Sequence, residues 1–317
     1  MDNLTHSMVG AVLGQTGLKR RTGLGMPALI IGANIPDIDA TCTFLGTQSL
    51  AMRRGLTHGP LAILILPLIL TALLLLYDRW QTRRGSRPEG RPAVRPGWLL
   101  ALAFIGTLSH PAMDWLNSYG IRLLEPFSHQ WFYGDVLFII DILLWAMLIG
   151  GFLWSRRAEK RGGASWQQRG IVTITAVCAY IFANGAITGL AEARASRWVE
   201  SHTHTHPAAV VANPEPFAFW RRDLLWRTQD GQYGHYPFSI FAPDAVPANA
   251  PEGKRIGIDN PELWRKAMTD ADARAFLFWS RLPLATVAPD GSLTLTDQRF
   301  REMGRDRFTV IVPPAAP

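Results

Sequence analysis

The stretch PLAILILPLILTALLLLY at residues 60–77 decides the fold class of this chain, because it contains no charged side chain. As an α-helix it spans about 27 Å at ~1.5 Å per residue, close to the thickness of the hydrocarbon core of a bilayer. Of all 317 residues, 48% are hydrophobic and 18% are charged, a composition too apolar for two ordinary soluble domains. The sequence therefore predicts a membrane protein.

Five further apolar segments extend this prediction to a six-helix membrane domain at residues 1–190. The first two are short and rich in glycine, and the ionisable residues inside the later ones indicate function, because charges are costly within a bilayer. The segments lie at residues 4–18, 24–40, 97–116, 136–154 and 171–190. A cleaved signal peptide is rejected for the first segment, because the basic residues Lys19 to Arg21 follow it instead of preceding it.

The basic residues predict the orientation of these helices. Residues 1–190 contain 17 Lys and Arg against 10 Asp and Glu, whereas residues 191–317 contain 15 of each. Lys and Arg in short loops favour the cytoplasm, and placing the clusters at 19–21, 79–95 and 156–169 inside leaves both termini outside. We expect a multi-pass membrane protein with no nucleic-acid partner. The sequence sets no oligomeric state.

Residues 191–317 predict a small α+β domain on the outer side of the membrane. The segments FAFWRRDLLW, DGQYG and HYPFSIF are typical of a hairpin, and LPLATV, PDG and SLTLT of a second hairpin. RFTVIV is a candidate last strand, and residues 260–280 predict a helix capped by Asn260. The two cysteines, Cys42 and Cys178, are too far apart to form a CxxC metal or redox motif.

In this topology, polar residues from five segments of the membrane domain converge on the outer side. They belong to the first helix, to NIPDIDA, RRGLTHGP and SHPAMDWLNSYG, and to YGDVLFIID. The residues are His6, Asn34, Asp37, Asp39, Arg53, Arg54, His58, His110, Asp114, Asn117, Asp135 and Asp141.

The spacing of these residues predicts a divalent metal site. His110, Asp114 and Asn117 stand at i, i+4 and i+7 and share one helical face. Pro36 disfavours regular helix nearby, so that a loop can turn the following aspartates inward. Imidazole and carboxylate ligands favour zinc, with manganese and iron as alternatives. The predicted metal ligands are His6, Asp37, Asp39, His58, His110 and Asp114, with Asp135 and Asp141 as further ligands or as partners that orient the imidazoles. Eight groups exceed a single tetrahedral site, so either two metals bind or some of the carboxylates orient the imidazoles.

The same cluster predicts hydrolysis of an ester by metal-activated water. Whichever of Asp37 and Asp39 is not a ligand is the candidate general base, and Arg54 is the candidate to stabilise developing negative charge. We expect Arg53, Arg54, Asn34 and Asn117 to contact the substrate. Because the cluster lies where apolar helices end, the favoured substrate is a lipid or a lipid-linked phosphoester.

Two other functions remain open at this point. One is a non-enzymatic membrane-anchored regulator that binds a partner, in which the polar cluster is structural. The weaker alternative is proton or ion transport, since residues 61–76, 99–105 and 142–154 are almost wholly apolar and offer no polar path. The HTHTH run at 202–206 is interpreted as a solvated linker in preference to a ligand set, and His129 and His235 as structural.

The motifs THS, NIPDID, RGLTHG, HPAMDWLNSYG and FYGDVLFIID, in this order, resemble the bacterial inner-membrane metal-dependent hydrolases, a family also described as LexA-binding and formerly as a domain of unknown function. The resemblance is close over about residues 1–190 and looser through WSRLP, near residue 280. It implies a metal-dependent hydrolase in the inner membrane, with His6, Asp37, Asp39, His58, His110 and Asp114 as the matching polar positions. A more distant similarity to zinc-dependent phospholipase C and single-strand nuclease proteins implies phosphoester chemistry.

Overall fold

A computed structural model of the chain describes residues 1–243, 253–254, 261–300 and 308–314. The fold is mainly helical, with two small antiparallel sheets toward the C-terminus. The helices are α1 Asn3–Gln15, α2 Gly25–Gly32, α3 Ser49–Met52, α4 Pro60–Arg83, α5 Pro96–Trp115, α6 Ile142–Lys160, α7 Trp166–Thr203, α8 Pro261–Thr269 and α9 Ala271–Trp279. The strands are β1 Pro207–Pro214, β2 Arg221–Thr228, β3 Gln232–Ser239, β4 Gly253–Lys254, β5 Pro283–Val287, β6 Leu293–Asp297 and β7 Thr309–Val312. Three 3₁₀ helices cover Leu18–Arg20, Ile35–Gln48 and Gln298–Phe300.

The chain forms two compact units. The N-terminal unit comprises Met1–Asp39 and Arg54–Asn184, and the C-terminal unit comprises Ala40–Arg53 and Gly185–Pro317. The segment 40–53 thus clusters with the C-terminal unit although it precedes α4 in the chain. The roles expected for residues 1–190 and 191–317, a membrane-embedded hydrolase domain and an extracytoplasmic domain, stay predictions.

Among the described residues, three helical stretches are long and apolar enough to cross a membrane. They are Gly25–Met52, Pro60–Arg83 and Trp166–Thr203. The predicted segment 60–77 lies within the second of these stretches. Helix α1 has 13 residues, which as a helix reach about 20 Å, well short of a hydrocarbon core of about 30 Å. The structure therefore supports a membrane protein with three candidate spans, and the arrangement of six crossings remains a prediction.

Close helix packing in the N-terminal unit explains its glycine-rich sequence. A Cβ on Gly32 of α2 would lie 2.9 Å from the Ala103 carbonyl oxygen of α5, and a Cβ on Gly106 of α5 would lie 2.6 Å from the Leu29 carbonyl oxygen of α2. Helix α1 also packs on α2, and a Cβ on its Gly10 would be 2.7 Å from the same oxygen of Leu29. Small residues let helix backbones approach closely. The close approach of α1, α2 and α5 brings polar residues of these three helices together.

Helix α2 ends at Gly32, and the chain continues as a 3₁₀ helix over Ile35–Gln48. This change of conformation coincides with Pro36, as the sequence analysis expected. Asp39 is buried and Asp37 is half-buried, so both aspartates turn inward.

The fifth membrane segment begins later than predicted. Residues 136–141 are not helical, because the backbone N–H groups of Val136 and Leu137 donate to the Leu116 carbonyl oxygen at 2.8 and 2.9 Å. Helix α6 begins at Ile142, and Asp141 is its N-cap, accepting from the Leu144 N–H at 2.8 Å. The sequence suggested a continuous apolar helix, and the hydrogen bonds to the end of α5 decide against it.

The C-terminal unit contains the two sheets, ordered β1-β2-β3-β4 and β5-β6-β7. The two predicted hairpins are found as β2–β3 and β5–β6, and β7 corresponds to the predicted last strand. The last turns of α7, with Ala191, Ala195 and Val199, pack on the first sheet around Trp226. The helix predicted over 260–280 is two helices, because the Asp270 side chain caps α9 by accepting from the Ala273 N–H. Its expected cap, Asn260, lies outside the described residues.

Candidate metal centre

Four side chains from three separate parts of the N-terminal unit form one compact group, here called the metal cluster. Each offers one donor atom, and these atoms all lie within 4.8 Å of one another. His58 Nε2 and His110 Nε2 are 3.1 Å apart, and each lies 3.6 Å from Asp114 Oδ2. Asp37 Oδ1 is 3.7 Å from His110 Nε2 and 4.0 Å from His58 Nε2. The three residues other than Asp37 are fully buried.

The tautomer of His110 follows from a backbone contact. Its Nδ1 atom lies 2.7 Å from the carbonyl oxygen of Ala33, the C-cap residue that follows α2. A carbonyl oxygen only accepts, so Nδ1 carries the hydrogen and donates it. In the neutral ring, Nε2 therefore presents its lone pair to the metal cluster. Metal-ligating histidines are held in this way in many proteins.

His58 is oriented by side chains. Its Nδ1 lies 2.9 Å from Thr57 Oγ1, and that hydroxyl donates to Asp39 Oδ2 at 2.8 Å. Since the one hydroxyl hydrogen is used on Asp39, His58 Nδ1 is the donor to Thr57. Burial lowers the pKa of His58, but the adjacent carboxylates of Asp114 and Asp39 outweigh burial and raise it above the ordinary value. The negative charge around His58 thus attracts a proton.

The arrangement fits a divalent cation. Two imidazole nitrogens whose other ring nitrogens carry hydrogen face each other at 3.1 Å. In a tetrahedral site with metal–nitrogen distances of about 2.0–2.1 Å, two nitrogens are roughly 3.3 Å apart. Two carboxylate oxygens complete a set of four donors of the kind that zinc accepts, with manganese and iron as alternatives. The donor identities, their separation and their burial all match a metal site.

The Asp114 carboxylate is fixed by three groups. Arg54 approaches it with two nitrogens, Nη2 at 3.1 Å from Oδ1 and Nε at 2.9 Å from Oδ2. His6 Nε2 is 3.2 Å from Oδ1, and the His6 ring stacks on that of His110 with ring centroids 3.7 Å apart. The Met1 ammonium also contacts Oδ1. His6 therefore touches a cluster member and lies beside the four donors, not among them.

The buried Arg54 side chain is committed to protein groups. Besides Asp114, its Nη1 donates to Asn117 Oδ1 at 3.0 Å and to the Gly120 carbonyl oxygen at 3.3 Å. Its guanidinium lies 4.7 Å from the centre of the Tyr119 ring. The Arg54 backbone has a φ of 53°, which aims its N–H at Asp39 Oδ2 at 2.8 Å. Both the backbone and the side chain of Arg54 therefore shape the site.

The surroundings of the metal cluster are acidic and incompletely satisfied. Three aspartates share the region with the Arg54 guanidinium and the Met1 ammonium, so with neutral imidazoles the net charge is negative. Asp39 Oδ1 and Asn117 Nδ2 are buried and make no hydrogen bond to any residue that the structure describes. Buried polar atoms of this kind usually have a partner, often water or an ion. Both observations support a bound cation with associated water.

The other predicted site residues lie elsewhere or touch other groups. Asn34 Nδ2 donates to Ser7 Oγ and to the Ile30 carbonyl oxygen, which ties α2 to α1. Asp141 accepts from the Leu144 N–H and from the Tyr180 hydroxyl, so it joins α6 to α7 and we leave it out of the proposed ligand set. Asp135 is buried with a φ of 52°, and Arg53 belongs to the C-terminal unit.

Sequence reasoning missed three contributors to the site. Thr57 precedes His58 in RGLTHG, and its position next to a predicted ligand was the signal that its hydroxyl could orient the imidazole. Ala33 contributes only its carbonyl oxygen, which no sequence pattern marks. Arg122 donates its backbone N–H to the Arg54 carbonyl oxygen at 2.9 Å, and this bond joins the loop after α5 to the turn before α4. Its side chain pairs with Glu125 of the same loop at 3.1 Å.

The remaining histidines make local contacts. His129 lies 2.9 Å from Glu125 Oε2, and His235 lies 3.0 Å from Asp223 Oδ1. In the HTHTH run, His202 bonds the Trp198 carbonyl oxygen and His206 pairs with Glu200 on the surface. None of them belongs to a potential metal-binding group among the described residues.

Comparison with known proteins identifies one family. The family model described as YdjM inner membrane protein matches residues 1–191, which include all residues of the metal cluster. No curated protein and no solved structure matches the chain.

Proposed function

This chain belongs to the YdjM inner membrane protein family, and from the buried cluster in its N-terminal unit we propose that it is a membrane-bound, metal-dependent hydrolase. The observation that carries the proposal is the pair of Nε2 atoms of His58 and His110, 3.1 Å apart between carboxylates of Asp37 and Asp114. These four residues would hold the cation, and zinc suits them best, with manganese and iron as alternatives. When bound, such a cation acidifies water and polarises a scissile ester.

Asp39 is our candidate general base. Asp37 is one of the four potential donors, which leaves Asp39 as the aspartate that we propose for proton transfer. Its Oδ2 is held by the Arg54 N–H and the Thr57 hydroxyl, each at 2.8 Å. Its Oδ1 makes no hydrogen bond to the described part of the chain. Because Asp39 lies beside His58 Nδ1 and not beside Nε2, this atom would accept the proton of the attacking water through one intervening water molecule.

We assign Arg54 to holding Asp114 instead of stabilising the transition state. The two contacts with Asp114, together with the bonds to Asn117 and Gly120, use most of its donors. In the same scheme, Asn117 orients the guanidinium through its Oδ1. The substrate contacts expected of Arg53, Asn34 and Asn117 remain part of the proposal.

The surface of α4 favours a substrate that lies in the bilayer. His58 is two residues from Pro60, the first residue of this helix. Starting at the first turn, exposed apolar side chains follow at i, i+3, i+4 and i+7, the spacing of one helical face. These side chains are Leu61, Leu64, Ile65 and Leu68. An acyl or isoprenoid chain packed along this face would bring its ester near the site, so we propose a lipid or lipid-linked phosphoester as substrate.

We further propose that the six predicted segments all cross the inner membrane, with the metal cluster and the C-terminal unit on the outer side. The support is the distribution of basic residues: the clusters at 19–21, 79–95 and 156–169 lie in the loops that this topology places in the cytoplasm.

The metal is tested by elemental analysis of the full-length protein purified in detergent through an affinity tag without histidine. We expect about one equivalent of a transition metal in the wild type and its loss in His58→Ala plus His110→Ala. A matched control replaces His202, His204 and His206 by alanine, which removes the surface run and should leave the metal content unchanged. Loss of the metal in the control variant, with wild-type metal content in the double variant, would overturn the site.

The reaction is tested by incubating metal-loaded protein with a panel of phospholipids and isoprenoid phosphates. We expect turnover that depends on metal and falls by at least about 10²-fold in Asp39→Asn, the range of general-base catalysis. Turnover that persists without metal, or is equal in Asp39→Asn, would exclude the mechanism.

One observation favours a second function, a non-enzymatic membrane-anchored regulator. A structural cluster pairs its charges internally, and Asp114 is paired with Arg54 in this way. A protein that retains stability and partner binding without metal, and hydrolyses no lipid of the panel, would support this alternative.

A further inference from the structure

We propose that Thr57 is the positioning residue that sets which nitrogen of His58 carries hydrogen, and so presents the bare Nε2 atom to the cation. The inference rests on the proposed metal site and adds a residue that the sequence analysis did not select. Thr57 itself is not a ligand, since its hydroxyl lies on the far side of the imidazole, next to Nδ1.

The direction of each hydrogen bond supports this role. Thr57 Oγ1 lies 2.8 Å from Asp39 Oδ2 and 2.9 Å from His58 Nδ1. A hydroxyl has one hydrogen, and an ionised carboxylate can only accept it. Thr57 therefore accepts from His58 Nδ1, and the hydrogen of the neutral ring stays on that atom. Nε2, which faces His110, is left with its lone pair.

Asp39 does not replace Thr57 in this role. Its Oδ2 atom is 3.4 Å from His58 Nδ1, beyond the usual range of an N–H to oxygen hydrogen bond. The same oxygen already accepts from the Arg54 N–H and the Thr57 hydroxyl. Asp39 thus fixes the direction of the hydroxyl, and the hydroxyl fixes the ring.

The local backbone holds Thr57 in place. Arg54 adopts a left-handed conformation with a φ of 53°, and the His58 N–H donates to the Gly55 carbonyl oxygen at 2.8 Å. This tight turn sets Thr57 between Asp39 and the His58 ring. His110 differs, because a backbone oxygen, that of Ala33, orients it. Of these two histidines, only His58 has a tautomer that depends on a side chain, which a substitution can remove.

Thr57→Val tests the inference, because valine keeps the shape of threonine and removes the hydroxyl. Loss of a group that orients a metal-binding histidine typically weakens metal binding by about 10–100-fold. We expect a loss of this size in Thr57→Val, and near wild-type binding in Thr57→Ser, which retains the hydroxyl. The measurement is competition of the full-length protein in detergent with a chromophoric zinc chelator.

Thr107→Val is the matched control. Thr107 is fully buried on α5, three residues before His110, and its hydroxyl makes no hydrogen bond to the residues that the structure describes. Its removal should leave metal affinity within about 3-fold, since no bond is lost. Wild-type affinity in Thr57→Val, or an equal loss in Thr57→Ser or Thr107→Val, would overturn the role of Thr57.

A second readout does not need metal. In protein labelled with ¹⁵N-histidine, the spectrum of a His58→Gln variant assigns the signals of His58 among the 8 histidines. At a pH at which the His58 ring is neutral, we expect its Nδ1 to carry hydrogen in the metal-free wild type, and the Nε2–H tautomer to gain population in Thr57→Val. A bare Nδ1 in the wild type would refute the proposal. A wild type that binds no metal would refute the proposed function, and the ¹⁵N signals would still decide the role of Thr57.

Discussion

Replacing Gly106 by alanine should separate α2 from α5 and weaken the metal cluster, although it adds a single methyl group. A Cβ at position 106 would lie 2.6 Å from the Leu29 carbonyl oxygen and 3.1 Å from the Ala33 nitrogen. Both are backbone atoms of α2 or its end, so no side-chain rotation relieves the contact and the helices have to move apart. The displacement acts directly on the bond of 2.7 Å between His110 Nδ1 and the Ala33 oxygen.

Two opposing terms set the magnitude for Gly106→Ala. Alanine is favoured over glycine inside a helix by about 0.5–1 kcal/mol. Overpacking of a tightly packed interior costs about 1–3 kcal/mol. We expect a net loss of about 1–2 kcal/mol in the free energy of unfolding, since the cost of overpacking exceeds the gain in helix propensity. Gly150→Ala in α6 is the control: a Cβ there has no described atom within 4 Å, so it should stabilise by about 0.5–1 kcal/mol.

The assay is unfolding of the full-length protein in mixed micelles with a denaturing detergent, followed by far-ultraviolet circular dichroism. Metal affinity is measured on the same samples. We expect Gly106→Ala to lose both stability and affinity, and Gly150→Ala to keep its affinity. Equal stability of the two variants would refute the close approach of α2 and α5 as the basis of the site.

Three further predictions concern two ion pairs and the membrane topology. Burial alone raises the pKa of Asp297, but the charge of Arg299 and the hydrogen bonds to the carboxylate lower this pKa below its ordinary value of 3.8. The ionised Asp297 therefore stabilises the fold above the ordinary pKa, and this contribution is lost as the pH falls through the lowered pKa of the folded state. Acid unfolding followed by circular dichroism should be less steep in Asp297→Asn, and an unchanged pH profile would contradict this. Arg54→Met should cost about 3–5 kcal/mol of unfolding free energy, because it leaves the buried Asp114 without its guanidinium; a loss below about 1 kcal/mol would show that the pair contributes little. Single cysteines at positions 87 and 160, in a background without Cys42 and Cys178, should react only with reagents that reach the cytoplasm; labelling from outside would refute the topology.

Much of the site was predictable because its residues are unusual for their sequence context. Ionisable side chains such as His110 and Asp114 stand inside an apolar helix, where an unpaired charge is costly. The spacing of four residues places both on one face, and the structure brings both into the metal cluster. The elements of the C-terminal unit were predictable for a similar reason, since alternating strands with turn residues between them are a local pattern.

Residues in irregular backbone were harder to place. Asp37 and Asp39 are separated by one residue, and no sequence pattern distinguishes the metal ligand from the general base. The 3₁₀ conformation after Pro36 directs Asp37 to both imidazoles and Asp39 to the far side of His58. Asp141 was grouped with the site because of its charge, whereas its position at the start of α6 makes it a helix cap.

The amino-acid composition and the periodicity of apolar residues were sufficient to predict a helical membrane protein with an α+β region after residue 190. Both signals are summed over many residues, so a local error does not change the result. Hydrophobic length, charge asymmetry and hairpin signals need no knowledge of distant contacts. The tertiary structure alone decided which charges pair. Arg54 holds Asp114, 60 residues away in the chain, and Ala33 orients His110 across 77 residues. Such contacts depend on how closely α1, α2 and α5 approach one another. A displacement of less than about 1 Å breaks a hydrogen bond, and no sequence pattern predicts helix positions with that precision.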